Sequence, residues 1–288
     1  MHFRAHWRWL GFAIALAVFL LAVGASLSVP RTYILMATTT STRDTGLLPY
    51  LLPKFTAESG IDVRYIAVGT GQALDAGRRG DVDVVMVHSP AQEQAFMDAG
   101  DGLCRNSLMY NRFVLIGPDA DPADVHGATS ALDAFRRIYD ASQADPGRPL
   151  FESRGDNSGT HAKELALWAA AGLNASAFGG WYERTSQGMG ATLTIANQRA
   201  TYTLSDDGTW YALESSLGFL RLTYASNETI LRNQYSIIPV NPSTHPGLHT
   251  DAALVFARWL AGSRGQTLIG AYAVNGHQIF TPDATETC

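Results

Sequence analysis

Phe151-Glu152-Ser153-Arg154-Gly155-Asp156-Asn157-Ser158-Gly159-Thr160-His161 runs without a break into Ala162-Lys163-Glu164-Leu165-Ala166-Leu167-Trp168. The second half of this stretch predicts a helix with Leu165 and Trp168 on its apolar face, and Ser158 stands where an N-cap belongs. A capping serine accepts from one of the first free helix N–H groups. The remaining donors, those of Gly159 and Thr160 among them, point outward at the positive end of the helix dipole, where an anion fits. Arg154, a few residues upstream, adds a planar fork of donors suited to a tetrahedral oxyanion. A plain helix cap beside a surface arginine accounts for the same residues, so this stretch alone leaves both readings open.

Outward from it, the pattern alternates strands and helices. Thr32 to Ala37 reads as a buried strand. It runs into five hydroxyl residues, Thr38-Thr39-Thr40-Ser41-Thr42, before a helical run from Leu47 to Phe55 that Pro53 is expected to bend or shorten. Ile61 to Val68 alternates like a strand and ends in Gly69-Thr70-Gly71-Gln72-Ala73-Leu74. That resembles a dinucleotide fingerprint, but Leu74 replaces its third glycine, so the corner reads as strand, loop and helix offering Thr70 and backbone N–H groups. Gly80 to Val87 gives a third strand, followed by His88-Ser89-Pro90, in which the lone histidine reads as structural. Loops at the carboxyl ends of strands are where open α/β sheets bind ligands. Arg112 to Pro118 and Tyr235 to Pro242 read as strands connecting two lobes, with a separate αβ segment between them, and Asp251 to Leu260 as a closing helix that packs through Leu254, Trp259 and Leu260. The fold class is therefore α/β, with two lobes joined by a hinge.

At 288 residues the chain is long enough for two cores, and its formal net charge of −5 argues against a nucleic-acid partner without excluding a small anion held by local donors. Cys104 and Cys288 are its two cysteines; neither has metal-ligand neighbours, and in an oxidising compartment the two are able to form one disulfide. The N-terminus carries His2, Arg4, His6 and Arg8, then an apolar run from Leu10 to Val23, then Gly24-Ala25-Ser26. This predicts an export signal cleaved after Ala25, with an uncleaved anchor as the alternative.

The combination of Thr38-Thr39-Thr40-Ser41, Val68-Gly69-Thr70-Gly71-Gln72-Ala73, Gly80-Asp81-Val82-Asp83 with Val87-His88-Ser89-Pro90, and Ser153 to His161 resembles the tungstate-binding proteins of bacterial ABC importers. Gln187-Gly188-Met189-Gly190-Ala191-Thr192-Leu193 and Tyr202-Thr203-Leu204-Ser205-Asp206 extend the resemblance over nearly the whole chain after the signal. It implies a type II periplasmic-binding-protein fold: two α/β lobes, two hinge strands and an oxyanion in the cleft. Residues 1–30 are then the signal peptide or N-terminal anchor, 31–115 with 236–288 one lobe, and 116–235 the other. Carried onto matching positions, the resemblance implies ligand contacts from Thr39, Thr40, Ser41, Thr70, Arg154, Ser158 and Thr160; Gly159 adds its helix-start N–H, and Asp156, a carboxylate unsuited to facing a dianion, reads as orienting Arg154. It implies no enzyme activity and no cofactor, a monomer outside the cytoplasm, and permease and ATPase subunits as partners.

The ligand follows in part from chemistry. Arg154 to Thr160 also looks like the segment used by phosphate-binding proteins, but phosphate near neutral pH keeps a proton and needs a buried acceptor. His88-Ser89-Pro90-Ala91-Gln92 and the threonine loop supply no carboxylate before Asp44. A site of donors alone suits a fully ionised dianion: tungstate, molybdate or sulfate. Tungstate among these rests on the resemblance; molybdate-, sulfate- and phosphate-binding proteins of the same fold are the alternatives. A serine hydrolase using Ser158 and His161 is a more distant one, since no Gly-x-Ser-x-Gly elbow follows a strand.

Overall fold

Three parallel strands explain why the hydroxyl-rich loops meet. In the structure, a computed structural model that describes residues 32–285 and 288, β1 (Tyr33–Thr39) lies between β2 (Asp62–Val68) and β3 (Val84–Val87). The predicted signal or anchor over residues 1–30 lies outside the described residues. All four residues of β3 are buried, as expected for a strand covered on both faces. Thr39 pairs with Val68 and Thr38 with Met86 in parallel register. The carboxyl ends of the three strands therefore emerge along one edge, feeding α1 (Thr40–Asp44), α3 (Thr70–Arg78) and the His88-Ser89 turn before α4 (Pro90–Asp98).

Between β1 and β2 runs α2 (Leu47–Ser59), which passes through Pro53 without ending there. Pro53 forfeits one backbone hydrogen bond, and the burial of Leu47, Leu48, Leu51, Leu52 and Phe55 along one face offsets it. The expected shortening does not occur.

The next strand, β4 (Asn106–Pro118), is long enough to serve two neighbourhoods. From Asn106 to Arg112 it pairs antiparallel with β9 (Arg232–Pro239), and from Phe113 onward with β7 (Thr203–Asp206) and β8 (Leu220–Tyr224). Hydrophobic packing divides at the same place. Ile34, Leu51, Phe55, Leu108, Met109, Tyr235, Phe256 and Phe280 belong to one core, whereas Phe113, Leu115, Phe135, Phe151, Trp168 and Leu204 belong to another. The chain thus leaves the first core between Met109 and Phe113 and returns between Leu231 and Tyr235. The fold is a two-lobed α/β arrangement.

In the second core, β5 (Phe151–Ser153) and β6 (Tyr182–Arg184) pair in parallel, and α5 (Ala131–Ser142) and α6 (Gly159–Ala170) cover them. The buried face of α6 is Thr160, Glu164, Leu167 and Trp168, at helical spacing. Leu165, expected on that face, is instead 39% exposed, because its position is one residue out of phase with the stripe. The remaining helices are α7 (Met189–Arg199), α8 (Asp207–Leu213), α9 (Thr250–Ala261) and α10 (Ser263–Ala271). On α9, Leu260 is buried while Leu254 and Trp259 are half-buried. Cys104 and Cys288 form a disulfide that closes a span of 184 residues and fastens the C-terminus to the segment entering β4. Among the described residues no helix is long and apolar enough to cross a membrane.

Candidate oxyanion site

Two rims of strand ends face each other here. From the second core, Arg154 follows β5 directly, and the Gly155–Asn157 turn folds back onto it: both Gly155 (φ +60°) and Asn157 (φ +57°) adopt the left-handed conformation. A side chain at Gly155 would also run into Arg184, so glycine is required there twice over. The turn brings the Asp156 carboxylate onto Arg154, with Nη2 donating to Oδ2 at 2.5 Å. Oδ1 of Asp156 accepts from the N–H of Ser158 at 3.2 Å, which fixes the carboxylate against the start of α6.

Arg154 is 1% exposed, which is unusual for a guanidinium. Its Nη2 also donates to Thr40 Oγ1 at 3.1 Å, and Nη1 to Ser41 Oγ at 3.4 Å, both on the opposing rim. Its Nε–H is buried with no partner. A second crossing lies alongside, where the N–H of Gly159 donates to Thr70 Oγ1 at 3.2 Å. The hydroxyl of Thr160 is buried and unpartnered.

Thr40, Ser41, Arg154 and Asp156 come together in one cluster; Thr70, Gly159 and the buried Thr160 sit at the helix start beside it. Ser158 caps α6, its Oγ accepting from His161 N–H at 3.2 Å. Thr39 is turned to local duty: it caps α1, accepting from Thr42 N–H and sharing a 2.8 Å hydroxyl bond with Thr42 Oγ1. The hydrolase alternative finds no nucleophile–base pair in this geometry. Ser158 Oγ is held by a backbone N–H, and Nδ1 of His161 accepts from Asn157 N–H at 3.1 Å.

His88, whose sequence setting reads as structural, also lies at this edge. His88 ends the third parallel strand, so the sheet places it on the same edge as Thr40 and Thr70. It is 2% exposed and packs directly against the start of α6: a Cβ added to Gly159 would meet the His88 carbonyl at 2.7 Å and its ring at 2.9 Å. Nδ1 lies 2.9 Å from Asn233 Oδ1, while Nε2 is buried and unpartnered. Desolvation, with Arg154 nearby, lowers the pKa of this imidazole to about 4, so at neutral pH it is uncharged. With Nδ1 facing an amide oxygen, the ring hydrogen sits on Nδ1 and Nε2 holds a lone pair. The hydroxyl run itself carries no carboxylate ahead of Asp44, whose Oδ2 accepts from Gly190 N–H at 3.4 Å, and His88 adds a buried imidazole beside it. The signal in the sequence was position, the first residue after a strand parallel to two others with ligand-type loops.

A surface hollow of about 330 Å³, lined by aromatics including Tyr139, Phe178 and Trp181, contains none of these residues.

Residues 25–264 match the PBP superfamily domain. The tungstate-binding protein TupA of Peptoclostridium acidaminophilum is 42% identical over 257 residues, covering 88% of this chain and 86% of that protein. The chain belongs to the TupA family of the PBP superfamily. Among solved structures, the tungstate-binding protein TupA of Desulfovibrio alaskensis G20 is 44% identical with a TM-score of 0.73, covering 88% of this chain and all of that one. A structure described as the tungstate ABC transporter of Geobacter sulfurreducens is 42% identical with a TM-score of 0.75, covering 83% and 98%. TupA membership accounts for the fold on both sides of β4, since these relatives span both cores.

Proposed function

We propose that this TupA-family protein is an extracytoplasmic solute-binding protein that captures tungstate, with molybdate as a near-isosteric second ligand, and delivers it to an ABC importer. The observation that carries the reading is Arg154: a buried guanidinium with an unpartnered Nε–H, shared between the Thr40–Ser41 hydroxyls of one rim and Asp156 of the other. Burying a cation is costly unless an anion compensates it, and Asp156 alone does not occupy all five donors.

In this reading Thr40, Ser41, Thr70, Arg154, Gly159 and Thr160 contact the ligand, Thr39 and Ser158 hold the helix starts in place, and Asp156 aims the guanidinium. The lobes are residues 31–115 with 236–288, and 116–235, and the cleft opens by flexing at β4 and β9. A dianion that touches both rims favours the closed form, which the permease distinguishes from the open one. The protein works as a monomer without a cofactor and catalyses no reaction, and residues 1–30 direct export or remain as an anchor.

Calorimetric titration with tungstate, molybdate, sulfate and phosphate tests this. Tungstate and molybdate binding far tighter than sulfate and phosphate is the expected result. Preferred binding of phosphate would move the protein to the phosphate-binding class, and no binding of any of the four would remove the oxyanion reading.

A further inference from the structure

His88 stands at the end of an amide chain whose direction is fixed. Asp206 Oδ1 accepts from Thr209 N–H at 2.8 Å and from Asn111 Nδ2 at 3.3 Å. Asn111 Oδ1 then accepts from Asn233 Nδ2 at 2.7 Å, which leaves Asn233 Oδ1 to accept from His88 Nδ1. Asn111 and Asn233 face each other on β4 and β9, so the chain runs from Asp206 at the end of β7, through both crossing strands, to His88 at the end of β3. Reversing the ring's tautomer would require turning both amides and pressing Asn111 Oδ1 onto Asp206 Oδ1. The lone pair is therefore held at Nε2.

The Cε1–Nδ1 edge of this ring lies against the start of α6 and its Nε2 is buried and unpartnered, so a lone pair there opposes a dianion bound at that helix start. We propose that His88 is a proton-dependent ligand contact: when a tetrahedral dianion enters, Nε2 takes one proton from solvent and donates it as an N–H···O bond to a ligand oxygen. This rests on the oxyanion-binding reading and adds to it. The imidazolium then donates from both nitrogens, to Asn233 Oδ1 and to the ligand, with no rearrangement of the amide chain.

The groups facing the ring decide the sign. Arg154, from the turn before α6, opposes its protonation, and Asp156 on the same turn favours it. From β9, the Tyr235 ring stacks on the imidazole at 4.7 Å and Asn233 accepts from it. Asp206 acts through the two amides. In the ligand-free protein, burial and Arg154 prevail and the ring is neutral above about pH 4. A dianion shields Arg154 and adds two negative charges beside the ring, raising its pKa in the bound state. Between the free and bound pKa values, binding takes up a proton and affinity weakens as pH rises, by up to about tenfold per unit.

The test uses the full chain and sodium tungstate, titrated by calorimetry at about pH 7 in PIPES and in Tris, whose ionisation enthalpies differ widely. The expected result is an apparent enthalpy that differs between the buffers by the amount due to nearly one proton taken up per tungstate. His88→Gln, which offers a neutral amide donor in place of Nε2, is expected to bind with the same heat in both buffers and with affinity nearly flat in pH. Tight binding with equal heats in wild type overturns the proposal and leaves the oxyanion reading standing, as does proton uptake that persists unchanged in His88→Gln. Absence of tungstate binding in wild type overturns both. Should His88→Gln fail to fold, the two-buffer comparison on wild type decides alone.

Discussion

The two rims are assembled alike, strand ends feeding helix starts, yet their chemistry differs. The first rim is net neutral, its Arg43 paired with Asp44: Thr39 caps its own helix, Thr40 and Ser41 accept from Arg154, and Thr70 accepts from Gly159. The second rim carries the charge and the unmet donors, Arg154 Nε–H above all. Two buried glutamates differ in their partners: Glu93 lies against a cation, Arg105 Nη2 at 2.7 Å, whereas Glu164 accepts from neutral donors, Tyr182 OH at 2.5 Å and Trp168 Nε1 at 3.2 Å, Arg184 acting from further off. A hydroxyl rim fits an oxyanion's shape at little electrostatic cost in the empty state, and a single charged rim supplies the attraction. Dividing the tasks keeps an unliganded cleft from collecting positive charge on both sides.

The largest effect is expected where the charge sits. Arg154→Ala removes two or more charge-assisted bonds, each worth roughly 1.5–3 kcal/mol, so tungstate affinity should fall by at least about a hundredfold. Arg154→Lys keeps the charge but loses the fork, and should recover only part of the loss. Titration of both variants checks this. An affinity in Arg154→Ala within a few-fold of wild type would mean that the neutral rim does most of the binding.

Glu164 comes next. Burial raises its pKa to about 7, with Tyr182, Trp168 and Arg184 pulling the other way. A carboxyl that holds its proton more tightly in the folded state contributes stability below its unfolded value, near 4.5, and that contribution is lost as pH rises through about 7. At pH 8 the cost of ionising it is about 3 kcal/mol at most, from 1.4 kcal/mol per unit. Glu164→Gln should therefore melt higher than wild type above pH 7 and lose that advantage toward pH 4.5, as followed by thermal denaturation at several pH values. Glu93, compensated by Arg105, gives the contrasting case: Glu93→Gln removes a buried ion pair and should destabilise at neutral pH.

Much of this was legible in the chain. The cap at Ser158 and the glycine-rich corner at Gly69-Thr70 have a local cause and appear where expected; the two crossing strands form but start earlier, at Asn106 and Arg232, and the hydroxyl run is the end of β1 and the helix α1 rather than a loop. What was not legible depends on long-range contact. Pro53 reads as a breaker until the core face of α2 is seen to offset it. Leu165 reads as core because phase is hard to fix over a seven-residue run. His88 looked incidental because its neighbours lie far off in sequence, Asn233 145 residues away. The Thr39-Thr40-Ser41 junction of β1 and α1 shows the limit most clearly: three adjacent hydroxyl residues are alike in composition, and only the cap geometry turns Thr39 inward while Thr40 and Ser41 face Arg154.

That last distinction gives the smallest effect and the sharpest test of the neutral rim. Thr40 Oγ1 accepts from Arg154, which leaves its own O–H free to donate toward a bound oxygen. Thr40→Ala removes one neutral hydrogen bond to the ligand and one acceptor for the guanidinium, together about 1 kcal/mol, or roughly a fivefold to tenfold loss of tungstate affinity. Thr39→Ala takes away only a cap: it should lower the melting temperature while changing affinity less than Thr40→Ala does, since the cap costs about 1 kcal/mol of stability and no ligand contact. Measuring affinity and melting temperature on both variants separates the two roles. If Thr39→Ala costs more affinity than Thr40→Ala, the helix start rather than the facing hydroxyl is what the ligand needs, and the neutral rim works through its backbone N–H groups instead.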